Sequence, residues 1–389
     1  MANQLSEEAV WAEKNPPETE RSYESDSKFF VASQWQLIWW RFRKHKLAMV
    51  GGAITLLIYL VAIFAEFLAP FSLERYDPSM TYAPPQRLYL LDTTSGSTRL
   101  NLHVKGWVSM LDTEEMRRKY YMDPNDVIPM RFFVRGDSYK LWGVIQGNLH
   151  LFGPVDSDRP VYMWGGDRLG RDLISRLIYG TRISMSIGLV GVLLSLLLGI
   201  LLGGLSGYLG GYFDIFIQRI IEFIRSVPTI PLWMGLAAAI PPAWPPERVY
   251  FGITVILSLV GWTGLARVVR GRFLSLKSED FVMMAELDGA STLRVIFLYL
   301  LPSFMSHIIA SITISIPSMI ISETALSFLG LGLREPVVSW GVLLQAAQTV
   351  RVVITAPWLM IPALAVIITV LAMNFLGDGL RDAADPYAH

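Results

Sequence analysis

The chain has 389 residues, of which 52% are hydrophobic and only 17% charged, with a net charge of zero. A soluble chain carries about a quarter charged residues, and neutrality removes any electrostatic case for a nucleic-acid partner. The absence of cysteine excludes disulfides, thiolate metal sites and a cysteine nucleophile, but it does not fix the redox compartment.

The apolar residues gather in six runs free of charge: Leu47–Ala65, Ile183–Phe213, Ser226–Pro246, Val249–Ala266, Val295–Ser322 and Val352–Gly377. Each is near or above the roughly 18 to 20 residues that cross a hydrocarbon core. A lone strand would leave its backbone unpaired in lipid. The expected class is an all-α polytopic membrane protein with six transmembrane helices.

Residues 1–30 are polar, contain Pro16–Pro17 and lack the apolar core of a signal peptide. They read as a largely disordered tail. Ser33 to Lys46 mixes aromatics with bases and suits a helix lying on the membrane surface. Arg41, Arg43, Lys44 and Lys46 directly precede the first span (47–70), which places the N-terminus, residues 1–46, in the cytoplasm. With six spans, the cluster Arg267, Arg270, Arg272 and Lys277 falls on the same side, and so does the C-terminus.

Residues 71–162 form an insertion expected outside the membrane. Leu100, Leu102 and Val104, and again Met130, Phe132 and Val134, alternate as strands do. Asp112 to Tyr121 reads as a helix, so a small α+β domain is expected. Its bases do not oppose the topology, because long loops translocate largely regardless of charge.

The remaining chain, 163–389, opens with WGGDRLGRDLISRLIYGTRISMS, Trp164 to Ser186. Asp167, Arg171, Asp172 and Arg176 have spacings that allow ion pairs on one helix face, and they read as a structural gate frame rather than as chemistry. The stretch closely resembles the signature before the second span of the dipeptide, oligopeptide and nickel permeases of ATP-binding-cassette (ABC) importers. Gly165, Asp167, Gly170, Arg171, Asp172, Ser175, Arg176, Gly180 and Arg182 match, and Gly166 stands where the family has Thr. In the second span, Gly191, Ser195, Gly199, Gly203, Gly207 and Gly211 recur every four residues. That smooth face admits a closely packed helix, from this chain or from a second permease. Pro228 and Pro231 are expected to kink the third span, and Pro241 to Arg248 makes a short exterior turn.

Ser278 to Pro302, SEDFVMMAELDGASTLRVIFLYLLP, lies between apolar runs yet carries Glu279, Asp280, Glu286 and Asp288. Ser278 is expected to cap a short helix, Gly289 to break it, and Ser291 or Thr292 to cap a second helix with Val295, Ile296 and Tyr299 on its apolar side. The spacing resembles the EAA loop of ABC importer permeases at Ala285, Gly289, Leu301 and Pro302. It departs from the pattern at Met283, Met284 and Tyr299. In the fifth span, Ser303, His307, Ser311, Ser315, Ser318 and Ser322 fall on one face. Two readings stay open there: a path of weak hydrogen bonds for a polar solute, or hydroxyls bonded back to their own helix or to neighbours. Ser327 to Trp340 resembles the family's signature after that span through Gly330, Gly332, Pro336, Ser339, Trp340 and Gly341, and is expected as an exterior re-entrant loop. Leu376 to Pro386 resembles the family's C-terminus. The resemblance covers about residues 33–75 and 160–388 and omits the exterior insertion.

The resemblance implies the ABC importer (type I) permease fold. It implies a non-catalytic C-type subunit in the bacterial plasma (inner) membrane, paired with a second homologous permease and embedded in membrane lipid. It further implies two ABC ATPases, which would bind ATP and Mg themselves, and an extracytoplasmic substrate-binding protein. The coupling loop 278–302 would meet an ATPase through Phe281, Ala285, Glu286, Asp288, Gly289, Leu301 and Pro302. Peptide is the family's usual cargo, with nickel and oligosaccharide as alternatives. No G-x-x-x-x-G-K-[ST], HExxH or Cys–His cluster occurs, so no cofactor and no catalytic residue is expected. An ion-driven secondary transporter would want carboxylates at mid-span, whereas Glu66 and Glu323 read as lying at span ends. A membrane anchor whose exterior segment does the binding is a further alternative. The insertion itself is expected either to dock the binding protein or to cap the partner permease.

Overall fold

The computed structural model describes residues 34–92, 99–114 and 117–384. The disordered-tail reading of residues 1–30 and the last residues of the C-terminal match lie outside the described residues. Helix α1 (Gln34–Lys44) packs along the end of the last helix, where Phe42 and Ala48 meet Ala383. His45 caps α2 (Lys46–Ile63) by accepting from the Ala48 N–H at 3.1 Å. A break at Phe64 precedes the short α3 (Ala65–Leu68).

The insertion is an antiparallel meander, β1 (Leu88–Asp92), β2 (Arg99–Asp112), β3 (Arg117–Leu141) and β4 (Ile145–Pro154), in that spatial order. Val104, Ile128, Met130 and Val161 close over Phe71 as its core. The expected helix at Asp112 to Tyr121 is not formed. Its described residues are the end of β2, a turn at Thr113 and Glu114, and the start of β3, paired through Asp112↔Arg117 and Val108↔Tyr121. The alternation of Trp107, Ser109 and Leu111 is satisfied by cross-strand pairing, which local charge does not reveal. Among the described residues the insertion is therefore β-structured, with only a 3₁₀ turn at Pro78–Met80.

The helical part continues with α4 (Leu173–Leu209), α5 (Gly211–Ser226), α6 (Thr229–Ala238), α7 (Pro246–Leu276), α8 (Asp280–Leu287), α9 (Thr292–Ser303), α10 (Met305–Phe328), α11 (Trp340–Gln345), α12 (Val350–Thr355) and α13 (Ile361–Ala384). Among the described residues, five helices are long and apolar enough to cross a membrane. A sixth is counted if α5 and α6, bent by 92° at Val227–Pro228, are one span. Span five differs from its expected bounds. It starts after a break at Phe304 and runs on to Phe328, which puts Glu323 inside the helix.

The glycine face of α4 packs against a helix of the same chain. A Cβ at Gly203 would lie 2.5 Å from the Ala266 carbonyl oxygen, and one at Gly207 2.8 Å from that of Arg270. The Ser195 hydroxyl donates to the Ser258 carbonyl at 3.2 Å, and the Ser258 hydroxyl lies 3.0 Å from the Gly191 carbonyl. Gly191 itself turns toward Met319 of α10. Gly211 is not part of the ladder: α4 ends at Leu209, and Gly210 and Gly211 take positive φ to start α5.

Gly203→Leu should force α4 and α7 apart, at a cost of about 1–3 kcal/mol. A clear drop in the melting temperature of the purified chain in detergent would register this. Gly235→Ala in α6, where a Cβ meets nothing within 4 Å, should leave that temperature unchanged or higher.

Candidate functional site

Helix α8 is seated by two small contacts and exposes the rest of itself. Val282 and Ala285 are buried against Val269 and Phe273 of α7 and Val295, Ile296 and Leu300 of α9. Phe281, Met283, Met284 and Leu287 remain exposed, Leu287 at 83%. This pattern follows from spacing: positions 282 and 285 share one face, while 281, 284 and 287 fall around the other. Glu279, not Ser278, is the N-cap, and its side chain makes no capping bond. The backbone geometry of Glu279 starts the helix one residue later than the sequence implies. Gly289 ends the element at φ +77 with open space where a Cβ would be, so its requirement is conformational rather than steric. Ser291 is the N-cap of α9, again without a side-chain bond.

Glu286 is exposed but accepts from the Tyr208 hydroxyl at 2.6 Å, which ties α8 to the end of α4; Asp288 is exposed. Leu301 is half-buried and Pro302 exposed. Pro302 has no N–H to continue the helical ladder. The turn before it is π-helical over Val295–Leu300, and the chain breaks at Phe304 just after it.

The serine stripe is divided by that break. Ser303 lies on its far side and donates to the Leu300 carbonyl at 2.6 Å. The side chain of His307 lies outside the described residues. Ser311, Ser315, Ser318 and Ser322 line a cleft of about 790 Å³ with Arg225, Thr229 and Trp233. Within the stripe, Ser315 donates to the Ser311 carbonyl at 2.7 Å and Ser322 to that of Ser318 at 2.8 Å. Those two protons are spent on their own helix, while the oxygens keep acceptor capacity. Arg225, Thr229 and Trp233 are brought to the cleft by the bend between α5 and α6, a tertiary feature that the proline positions hint at but do not locate.

The gate-frame residues are brought together, but not on one helix face. Only Arg176 lies on α4; Asp172 is its N-cap, and Asp167 and Arg171 precede it. Asp172 accepts from the Ser175 N–H at 2.8 Å and from the Ser175 hydroxyl at 2.7 Å rather than pairing with an arginine. Burial outweighs these bonds and pushes the Asp172 carboxyl up to about 6. Asp167 takes the Arg171 Nε at 2.7 Å and lies 3.5 Å from the Arg176 Nε, an ion-pair distance. The member that sequence reasoning missed is Glu335. It meets Arg171 at 2.6 Å and Arg176 at 2.9 Å, across 164 and 159 residues of chain. Its only local signal is its place beside Pro336 in the signature.

Beside this frame, the second signature is packed around the end of α10. Trp340 is 1% exposed. Ser339 donates to the buried Glu323 at 2.7 Å, and a Cβ at Gly341 would sit 2.8 Å from the Thr324 backbone. Arg182 pairs with Glu66 at 2.6 Å and stacks 4.4 Å over the Trp142 ring.

The family model described as binding-protein-dependent transport system inner membrane component matches residues 195–388. A second model, for the N-terminal membrane domain of oligopeptide transport permease C, matches residues 33–85. The dipeptide transport system permease protein DppC of Bacillus subtilis is 31% identical over 370 residues, covering 94% of this chain and 90% of that protein. The glutathione transport system permease protein GsiD of Salmonella typhimurium is 32% identical over 357 residues, covering 92% and 91%. The oligopeptide transport system permease protein OppC of Escherichia coli is 40% identical over 232 residues, covering 58% and 72%.

Burial alone would raise the Glu335 carboxyl, but the Arg171 hydrogen bond and the charges of Arg176, Arg171 and Arg168 hold it below its ordinary value. A carboxylate depressed on folding stabilises the fold above its unfolded pKa of about 4.3, and that contribution is lost as pH falls through the lower folded value. Glu335→Gln should cost about 1–3 kcal/mol near neutrality. Its melting temperature should also fall less than that of the unaltered chain between about pH 5 and about pH 3. Equal slopes in a pH series of thermal melts would contradict the assignment.

Proposed function

Because the chain belongs to the family of binding-protein-dependent inner-membrane transport components that includes the oligopeptide, dipeptide and glutathione permeases, we propose that it forms one half of a peptide path in an ABC importer. The similarity to such permeases along nearly the whole chain carries this reading. The peptide class follows from the cargo named for those relatives, and it is favoured over nickel or oligosaccharide.

In this reading the chain has six spans in the type I importer arrangement, with α5 and α6 forming the bent third span. Both termini lie in the cytoplasm and residues 71–162 lie outside. Phe281, Met284 and Leu287 form the knob that enters an ATPase groove, with Ala285 as its seat and Leu301 and Pro302 as its hinge to α10. Glu286 and Asp288 pair with bases at the rim of the groove. Movement of α8 is carried by Val282 and Ala285 into the α4–α7 pair, because packed side chains transmit displacement with little compression. The cleft carrying Ser311, Ser315, Ser318 and Ser322 faces the second permease. It offers a polar solute acceptors that bind weakly enough to release it. The Asp167–Arg171–Arg176–Glu335 cluster holds the exterior end closed around Trp340 while the cytoplasmic end moves.

The test is co-purification of a tagged chain with its neighbouring gene products, with ATPase activity recorded in membranes. Two ATPase copies, a second permease and activity stimulated by a loaded binding protein are expected; transport indifferent to ATP would favour an ion-driven carrier instead. Phe281→Asp should weaken ATPase capture by about 2 kcal/mol or more, as a buried aromatic anchor does. Gly289→Val forces a β-branched residue to positive φ, a strain of roughly 1–2 kcal/mol. It should abolish most transport while the chain still reaches the membrane, as uptake assays and membrane immunoblots would record.

A further inference from the structure

The hairpin joining β3 to β4 ends in an unusual tip. Trp142 and Gly143 both take positive φ at the centre of a tight turn, which the Val144 N–H closes on the Leu141 carbonyl at 3.1 Å. Asn, Asp or Gly is favoured at the first of these positions, yet a tryptophan stands there. Its indole N–H donates to the Ile63 carbonyl at 3.1 Å, and its ring lies under Arg182, which is itself bound to Glu66. The tip is thereby fixed to the end of α2. Its other residues are apolar and open: Val144 is 83% exposed and Ile145 62%, while Trp142 itself is 57% exposed.

The neighbouring surface identifies what covers them. Leu56, Leu57, Leu60, Ile63 and Phe64 are all exposed. Their spacing puts them on one face of α2, the face that ends at the carbonyl holding Trp142. Helix α2 has 18 residues, which gives about 27 Å of rise, close to the ~30 Å hydrocarbon thickness. The Ile63 carbonyl therefore sits near the edge of the hydrocarbon. That is the level where a tryptophan with an apolar body and a polar N–H is most favourably placed. Lys140, on β3 two residues before Trp142, is exposed beside the tip.

We propose that the Trp142–Ile145 tip is seated in the headgroup–acyl boundary of the bilayer, continuing the lipid-facing surface of the first span. The exterior sheet then leans on lipid as well as on protein, and its hairpin sets the angle at which the insertion stands over the membrane. This rests on the reading of α2 as a membrane span. It differs from docking of the binding protein or capping of the partner permease, both of which would cover the tip with protein.

The chain has no cysteine, so single probes report unambiguously. Val144→Cys, Leu57→Cys on α2 and Tyr76→Cys on an exposed loop of the insertion would each be labelled with a small environment-sensitive fluorophore. The full assembly would be placed in nanodiscs of phosphatidylethanolamine and phosphatidylglycerol, with or without a lipid carrying a nitroxide just below its headgroup. The expected result is that the Val144 probe loses most of its emission to the lipid nitroxide, as Leu57 does, and resists aqueous iodide, while Tyr76 shows the reverse. A Val144 probe quenched by iodide like Tyr76 would overturn the proposal. So would one shielded from both quenchers, which would mean that protein covers the tip. A Leu57 probe untouched by the lipid nitroxide would overturn the span reading of α2 itself, a separable failure.

Discussion

The contact on which the rest depends is the approach of α4 to α7, backbone against backbone. It exists because Gly203 and Gly207 present no side chain where the Ala266 and Arg270 carbonyls arrive. In lipid no hydrophobic force drives helices together, so such contact relies on dispersion between closely fitted surfaces. With those two helices fixed, Val269 and Phe273 of α7 form the floor on which α8 rests, while Leu257 and Gly261 form one wall of the serine-lined cleft. One rigid pair thus underlies both the exposed knob at one end and the cleft in the middle.

The other end is held by charge rather than by smoothness. Asp167 and Glu335 share two arginines, and the cluster joins the approach to α4 with the loop after α10. Arg176 is buried, and a buried cation is tolerated only where acids reach it. Ser175 adds a second tie, because its hydroxyl accepts the Phe71 N–H at 3.0 Å while serving Asp172. The signature preceding α4 therefore fastens the bundle, the β-sheet insertion and the loop after α10 at a single place. This accounts for its density of Gly, Asp and Arg. The glycines let backbones cross: a Cβ at Gly170 would lie 1.9 Å from the Asp77 carbonyl oxygen.

Much of this was legible in the chain, for reasons of local physics. Apolar runs long enough to span a bilayer mark helices whatever their partners, and a four-residue glycine period marks a face of close approach. The glycine that ends α8 was readable because few other residues take its backbone angles. Strands whose alternation included a buried residue, such as Val104 and Met130, were also found. The stretch Asp112 to Tyr121 was misread because its polar residues and charges fit a helix as well as a strand, and only pairing between β2 and β3 distinguishes them. The arginine and aspartate spacing before α4 was read as a helix face because four-residue intervals look alike before it is known where the helix begins. Glu335 was invisible as a partner, since nothing local couples it to residues some 160 positions away.

By itself the sequence determined that this chain lives in a membrane, where its long apolar helices fall, which face of α4 is smooth and where the chain turns after α8. Each of these depends on properties carried by residues within a few positions of one another. Tertiary structure alone decided which helix fills the glycine face, which serines reach the cleft, which acid completes the arginine cluster and where the Trp142 hairpin comes to rest. Those outcomes depend on contacts between distant segments, made only once the chain has closed on itself.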